Sequence, residues 1–319
     1  MPTIDDIVKI SGISRSTVNR FLAGNPVRQD NAKKIKSAMK ELNYRPDKIV
    51  EKRNCTVEII SSSSGERIPY FQGYSQMMVN IIRTLEKGGA TVIIQSGKSK
   101  YIPRADGVIM FGLLADKEDE IMAILKRRKI PFVFAYREIY EPGVSFVTCD
   151  NYSAAYEMTE MLIKKGHKRI AVCGGEPNKR NMPEKLKGFK DCMAAHGLQV
   201  PSYLVHEKTN LDSIHAWLDD LFENNIDFTA FFGLTDAIAM RFMEYAQAKG
   251  YKIPGDFSVV GMDGTAEASF AKPRLTSIAI PFGEIGKKSA EVMFDLLDNP
   301  STACVRKYLK YEIDFRESD

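Results

Sequence analysis

From Asn54 onward, short runs rich in β-branched and aromatic residues alternate with amphipathic stretches, and this alternation restricts the fold more than any other feature. The expected strands include Thr56–Ser61, Thr91–Gln95, Gly107–Phe111, Pro131–Ala135, Phe146–Cys149, Arg169–Cys173, Ala230–Phe232 and Phe257–Gly261, with a last one at Lys307–Phe315. Helical stretches such as 74–87, 118–128, 154–165, 237–249 and 285–297 separate them. Strands that are apolar on both faces need cover on both faces. The pattern therefore predicts an α/β body with buried parallel sheets.

The first 53 residues read differently. They carry twelve Lys/Arg against six Asp/Glu, a balance of +6 within a total of +4, which leaves −2 for the rest. A basic head on a slightly acidic body suits a polyanion partner, although charge alone fits a solvated terminus equally well. The residues decide between them. Thr3 and Asp6 form a capping box before Ile4, Ile7 and Val8, and Ser11-Gly12 breaks that helix with a turn. Ser14 can cap a second helix from Arg15 to about Leu22, with Val18, Phe21 and Leu22 inward. A third runs from about Asp30 to Leu42, with Ile35, Ala38, Met39 and Leu42 inward. Two helices joined by a tight glycine turn, with a third behind, describe a helix-turn-helix.

Arg15, Ser16, Asn19 and Arg20 share the outward face of the second helix. Arg can bond guanine, and Asn adenine, through two hydrogen bonds each. Thr3, Ser14, Thr17, Arg28, Asn31 and Tyr44 surround that face as candidate phosphate contacts. The competing reading, a small bundle with a solvated face, gains little from so polar a middle helix.

Other classes find little support. No apolar run reaches transmembrane length, and the acidic Asp5-Asp6 stands where a signal peptide is basic, so a cytoplasmic protein with no membrane partner is expected. The five cysteines and four histidines show no ligand spacing, so neither metal nor cofactor is expected. The chain has no G-x-G-x-x-G after a strand, no Walker loop and no G-x-S-x-G elbow, which argues against an enzyme. The last strand leads to Asp319 without a heptad tail, so a dimer reading two half-sites is expected rather than a coiled-coil tetramer.

Thr3 to Leu22, with Glu41-Leu42-Asn43-Tyr44-Arg45-Pro46, resembles the DNA-binding head of the LacI/GalR transcriptional repressors. Asn19 stands where that family commonly has Ser, and Ala23 where it has Asn. The body resembles the same family at Asp150-Asn151, Gly166 to Ala171, Gly188-Phe189, Val259 to Asp263, Pro273 to Ser277 and Pro281-Phe282. The resemblance implies a two-lobed core like the periplasmic sugar-binding proteins, with a small-molecule effector, sugar-like in class, between the lobes. The head would cover 1–45, the hinge 46–54 and the core 55–319, with crossovers near Asp150, Ile280 and Cys304. That divides the core into an N-lobe of about 55–150 and 281–303 and a C-lobe of about 151–280 and 304–319.

In the family the hinge folds on DNA and wedges a leucine into the minor groove. Here it is shorter, and Arg53 stands near the leucine's place, so minor-groove insertion of Arg53 and a plain tether both stay open. A family helix after Gln95 is expected to be missing. The resemblance places Ser61 to Ser64, Tyr70, Phe71, Arg137, Asp150, Lys185, Thr235, Asp236, Asp263 and Phe282 around the effector. Asp236 also suits a helix cap, and Phe282 the core. Lys185 replaces an Arg, which removes a planar fork; Thr235 replaces an Asn, and Gly264 a second Asp. A sugar, a phosphosugar, another metabolite or no ligand at all would fit these changes.

Overall fold

The computed structural model describes residues 3–22, 26–42, 44, 55–61, 72–96, 104–113, 115–174, 181–208, 211–299 and 303–319. Three helices, α1 (Ile4–Ser11), α2 (Arg15–Leu22) and α3 (Gln29–Glu41), form the head. The expected capping box is present: the Asp6 carboxylate accepts from the Thr3 N–H at 2.8 Å, and the Thr3 hydroxyl accepts from the Asp6 N–H. Gly12, at φ 66°, ends α1 in the left-handed region and donates its N–H to the Val8 carbonyl. Ile7, Val18, Ile35, Ala38 and Met39 close a small core between the three helices.

The body has two lobes. β1 (Thr56–Ser61), α4 (Gln72–Lys87), β2 (Thr91–Ser96), β3 (Gly107–Phe111), α5 (Ala115–Arg128), β4 (Phe132–Ala135) and β5 (Ser145–Cys149) build most of the first. The second contains α6 (Asn151–Lys164), β6 (Ile170–Cys173), α7 (Met182–Ala195), β7 (Val205–His206), α8 (Leu211–Glu223), β8 (Ala230–Gly233), α9 (Asp236–Ala248), β9 (Ser258–Asp263), α10 (Ala266–Phe270) and β10 (Thr276–Ala279). The chain then returns with α11 (Phe282–Asp298) and β11 (Arg306–Leu309) to the first lobe, and ends with β12 (Glu312–Asp314) in the second.

The first sheet runs β11-β5-β4-β3-β1-β2 and is wholly parallel; the second runs β12-β10-β9-β8-β6-β7. Only β12 is antiparallel to its neighbour there. Helices cover both faces, and one apolar cluster runs through both lobes from Val57 and Ile109 to Val260 and Ile278.

The end of the chain corrects the expectation. The single strand at Lys307–Phe315 is two strands in different sheets, because β11 pairs with β5 and β12 with β10. The third crossing therefore falls between Leu309 and Glu312, not near Cys304. Residue pattern signals an extended segment but not the sheet it joins. Arg53 with the rest of the hinge, Tyr70, Phe71, and residues 97–103, where a helix is expected to be missing, lie outside the described residues. No helix among those described is long and apolar enough to cross a membrane.

Candidate functional sites

The head presents one polar face. Arg15, Ser16, Asn19 and Arg20 are all exposed, while Val18 on the same helix is fully buried. Arg15 Nη1 donates to Asp5 Oδ1 at 2.7 Å, and Arg20 Nη2 to the Pro26 carbonyl at 3.2 Å. The Ser14 hydroxyl lies 3.2 Å from that of Ser16 and 2.9 Å from that of Thr17. Thr3 is engaged in the α1 cap. Arg28 precedes α3 with no capping bond from its side chain, Asn31 is half-buried in the first turns of α3, and Tyr44 packs against the head core.

The second site lies at the carboxyl ends of the sheets, where open α/β folds bind ligands. Lys185 projects from α7 and is almost wholly buried. Its ammonium donates to the Leu234 carbonyl at 2.9 Å and to Asp263 Oδ1 at 3.4 Å, and stands 6.0 Å from the centre of the Tyr136 ring. Tyr136 belongs to the first lobe, just past β4, and its hydroxyl donates to Asn151 Oδ1 at 3.0 Å. Phe282 packs edge-on to Tyr136, 4.7 Å between ring centres, and Tyr74 stands edge-on to both.

Two of these residues have backbone angles that side chains rarely adopt: Tyr136 at φ 56° and Asp263 at φ 148°. Such outliers concentrate where function holds the chain in place. Gly264 follows in the left-handed region at φ 69°, and a Cβ there would stand 2.5 Å from the Ala279 Cα. The departure to Gly264 thus matches a turn that excludes a second Asp.

Other expected residues have in-lobe partners. The Asp236 carboxylate accepts from the Thr265 N–H at 2.7 Å, the Thr265 hydroxyl at 3.0 Å and the Ser277 hydroxyl, so it buckles the loop after β9 to α9. Thr235 caps α9 through the Ile238 N–H. Asp150 caps α6, bonding the Ser153 N–H at 2.8 Å and hydroxyl at 2.6 Å. Arg137 is buried in an ion pair with Glu118, Nε to Oε2 3.1 Å. Ser61 lines a cavity of about 160 Å³ in the first lobe with Tyr74, Phe111 and Gly112. The structure therefore brings Lys185, Asp263 and Phe282 together, with Thr235 and Asp236 beside them. Tyr136, Tyr74 and Asn151 complete the group and were not expected. Tyr136 stands just past the carboxyl end of β4, a buried strand, which is where α/β folds place ligand contacts.

Burial pushes the Asp263 carboxyl up to about 7; Lys185 opposes the shift and Asp236 adds to it. Burial also raises Asp236, against the bonds from Ser277 and Thr265. An unfolded Asp loses its proton near pH 4. Between about pH 4 and pH 7 the folded chain therefore holds a proton at Asp263 that the unfolded chain has released. The stability contributed by this group falls as pH rises through that window, by up to about 1.4 kcal/mol per pH unit. Between pH 5 and pH 7, urea unfolding should show the stability of the unaltered protein falling relative to that of Asp263→Asn, which cannot carry this proton. Equal slopes in both proteins would contradict the assignment.

Among the described residues no cluster of His, Cys, Asp and Glu could hold a metal ion. The model of the bacterial regulatory proteins of the lacI family matches residues 3–47, and that of the periplasmic binding protein-like domain matches residues 159–318. The HTH-type transcriptional regulator CelR of Thermobifida fusca is 27% identical, with 99% of this chain and 98% of that protein covered. Catabolite control protein A of Priestia megaterium is 28% identical over 99% of this chain and 98% of its own. The solved CelR–cellobiose complex superimposes with a TM-score of 0.76 at 27% identity, covering 100% of both chains. The lac repressor dimer bound to operator shares the fold, with a TM-score of 0.74 at 20% identity over 99% of this chain and 98% of that one. The chain belongs to the LacI/GalR family and is a sequence-specific DNA-binding transcription regulator.

Proposed function

We propose that a homodimer of this chain reads two operator half-sites with its α2 helices, and that an uncharged, hydroxyl-rich effector of the sugar class controls it from between the lobes. The observation that carries the effector reading is the buried Lys185–Asp263 pair beside the Tyr136 ring, which packs in turn on Phe282. Above about pH 7, where Asp263 is ionised, the pair offers one cation with several donors and one acceptor whose charges offset each other, which suits hydroxyls better than a net anion. The aromatic rings beside it suit the apolar face of a sugar ring. The CelR relative in complex with cellobiose supports the class. On the DNA side, Arg15 and Arg20 are the base-reading candidates, with Arg28 as a phosphate contact.

A thermal-shift screen of neutral mono- and disaccharides against phosphosugars tests the ligand class, because a ligand that prefers the native state raises the melting temperature. Operator titrations with the best ligand then test the site. Asp263→Asn should weaken the effector response by about 1.5–3 kcal/mol, the range for a hydrogen bond to a charged group. Effector-free operator binding should stay near that of the unaltered protein. An unchanged response would remove Asp263 from the site, and stabilisation by phosphosugars alone would overturn the neutral-ligand reading.

A further inference from the structure

Arg15 is the exposed first residue of the reading helix, and its guanidinium already has a partner before any DNA arrives. Asp5, in the first turn of α1, accepts from Nη1 at 2.7 Å, across ten residues of sequence and the glycine turn. Both side chains are largely exposed, at 62% for Arg15 and 66% for Asp5, so neither is buried by the contact. An exposed pair of this kind adds little to stability, which makes a role in holding the head together a poor account of it. Its geometry suggests another role.

A guanidinium has five N–H donors in a rigid plane. A bond through Nη1 leaves the Nε–Nη2 edge complete, and that edge can meet guanine O6 and N7 with two parallel bonds. A carboxylate behind the fork fixes the plane and removes part of the rotamer freedom that a long side chain otherwise loses on binding. We propose that Asp5 is a positioning residue for base reading: it holds Arg15 with its free edge toward the major groove and so sharpens guanine preference at one base pair. The inference rests on Arg15 as a base reader.

The charge of Asp5 gives this role a signature. A carboxylate near the phosphates weakens attraction to any duplex, whatever its sequence. A positioning carboxylate therefore raises preference without raising general affinity, whereas a purely structural one would affect all sequences alike.

The experiment uses the full-length chain and duplexes it selects from a randomised library, with affinity measured for every base change at each selected position. Arg15→Ala should relax guanine preference at one base pair about tenfold or more. Asp5→Asn should relax preference at the same base pair about fivefold, while affinity for unrelated duplex stays equal or rises. Asp5→Glu, which keeps the carboxylate, should recover part of the preference. If Arg15→Ala relaxes the preference and Asp5→Asn leaves it intact, or lowers all affinities equally, the role of Asp5 is overturned. If Arg15→Ala leaves the preference intact, the underlying reading of Arg15 falls instead.

Discussion

Removal of residues 1–53 should abolish operator binding and leave a folded body. The head has its own closed core of Ile7, Val18, Ile35, Ala38 and Met39, and none of these side chains belongs to the clusters that hold the lobes. The deletion therefore takes no packing from the body's sheets. It does take the +6 charge balance and leaves a body at −2. Each phosphate neutralised by Lys or Arg releases counterions, and six to ten such contacts make affinity fall by about 10³–10⁵ between 50 and 200 mM salt. Full-length protein should show that steep dependence in fluorescence anisotropy on a labelled operator. The body alone should show no binding at the same concentrations, with its far-ultraviolet circular dichroism and its unfolding transition retained. A truncated body that kept operator affinity would place the DNA site elsewhere and remove α2 from the mechanism.

The head was readable because its signals are local. Thr3 and Asp6 are three residues apart, Gly12 marks its own turn, and Val18 declares the inward side of an eight-residue helix. The alternation of strands and helices was readable for the same reason. The parts that escaped depend on distant partners. Arg306–Leu309 and Glu312–Asp314 look like one extended run, and only pairing with β5 and β10 divides them. Asp236 and Asp263 both stand at or just past the end of a buried strand, and the sequence placed both around the effector while leaving a helix cap open for Asp236. Their difference comes from Thr265 and Ser277, 29 and 41 residues from Asp236, which occupy its carboxylate and leave Asp263 to Lys185. Tyr136 escaped because an aromatic after a strand reads as core until the facing lobe is in place.

Gly286→Ala should be among the most damaging single-methyl changes available to the body. Glycine inside a helix is poorer than alanine by about 1 kcal/mol, so the substitution would stabilise an unhindered helix. Here a Cβ at 286 would lie 2.3 Å from the Met77 carbonyl oxygen and 3.0 Å from the Met77 Cα, both backbone atoms of α4. Backbone cannot rotate away as a side chain can, so the two helices must separate. Met77, Ile81 and Ile285, fully buried in the main cluster, would lose contact as they do. Overpacking of this kind costs about 1–3 kcal/mol, and separation of two close-packed helices belongs at the top of that range, well beyond the propensity gain. Gly283→Ala is the control on the same helix, because its Cβ would meet only the end of the Asn80 side chain at 3.2 Å, and it should stay within about 1 kcal/mol of the unaltered protein. The damage should also reach the ligand site. Phe282 stands one turn earlier on α11, and the position of that helix sets its ring 4.7 Å from Tyr136. Urea unfolding measures the first effect and effector titration the second. A Gly286→Ala protein as stable as the unaltered chain would show that α4 and α11 do not pack at the separation described.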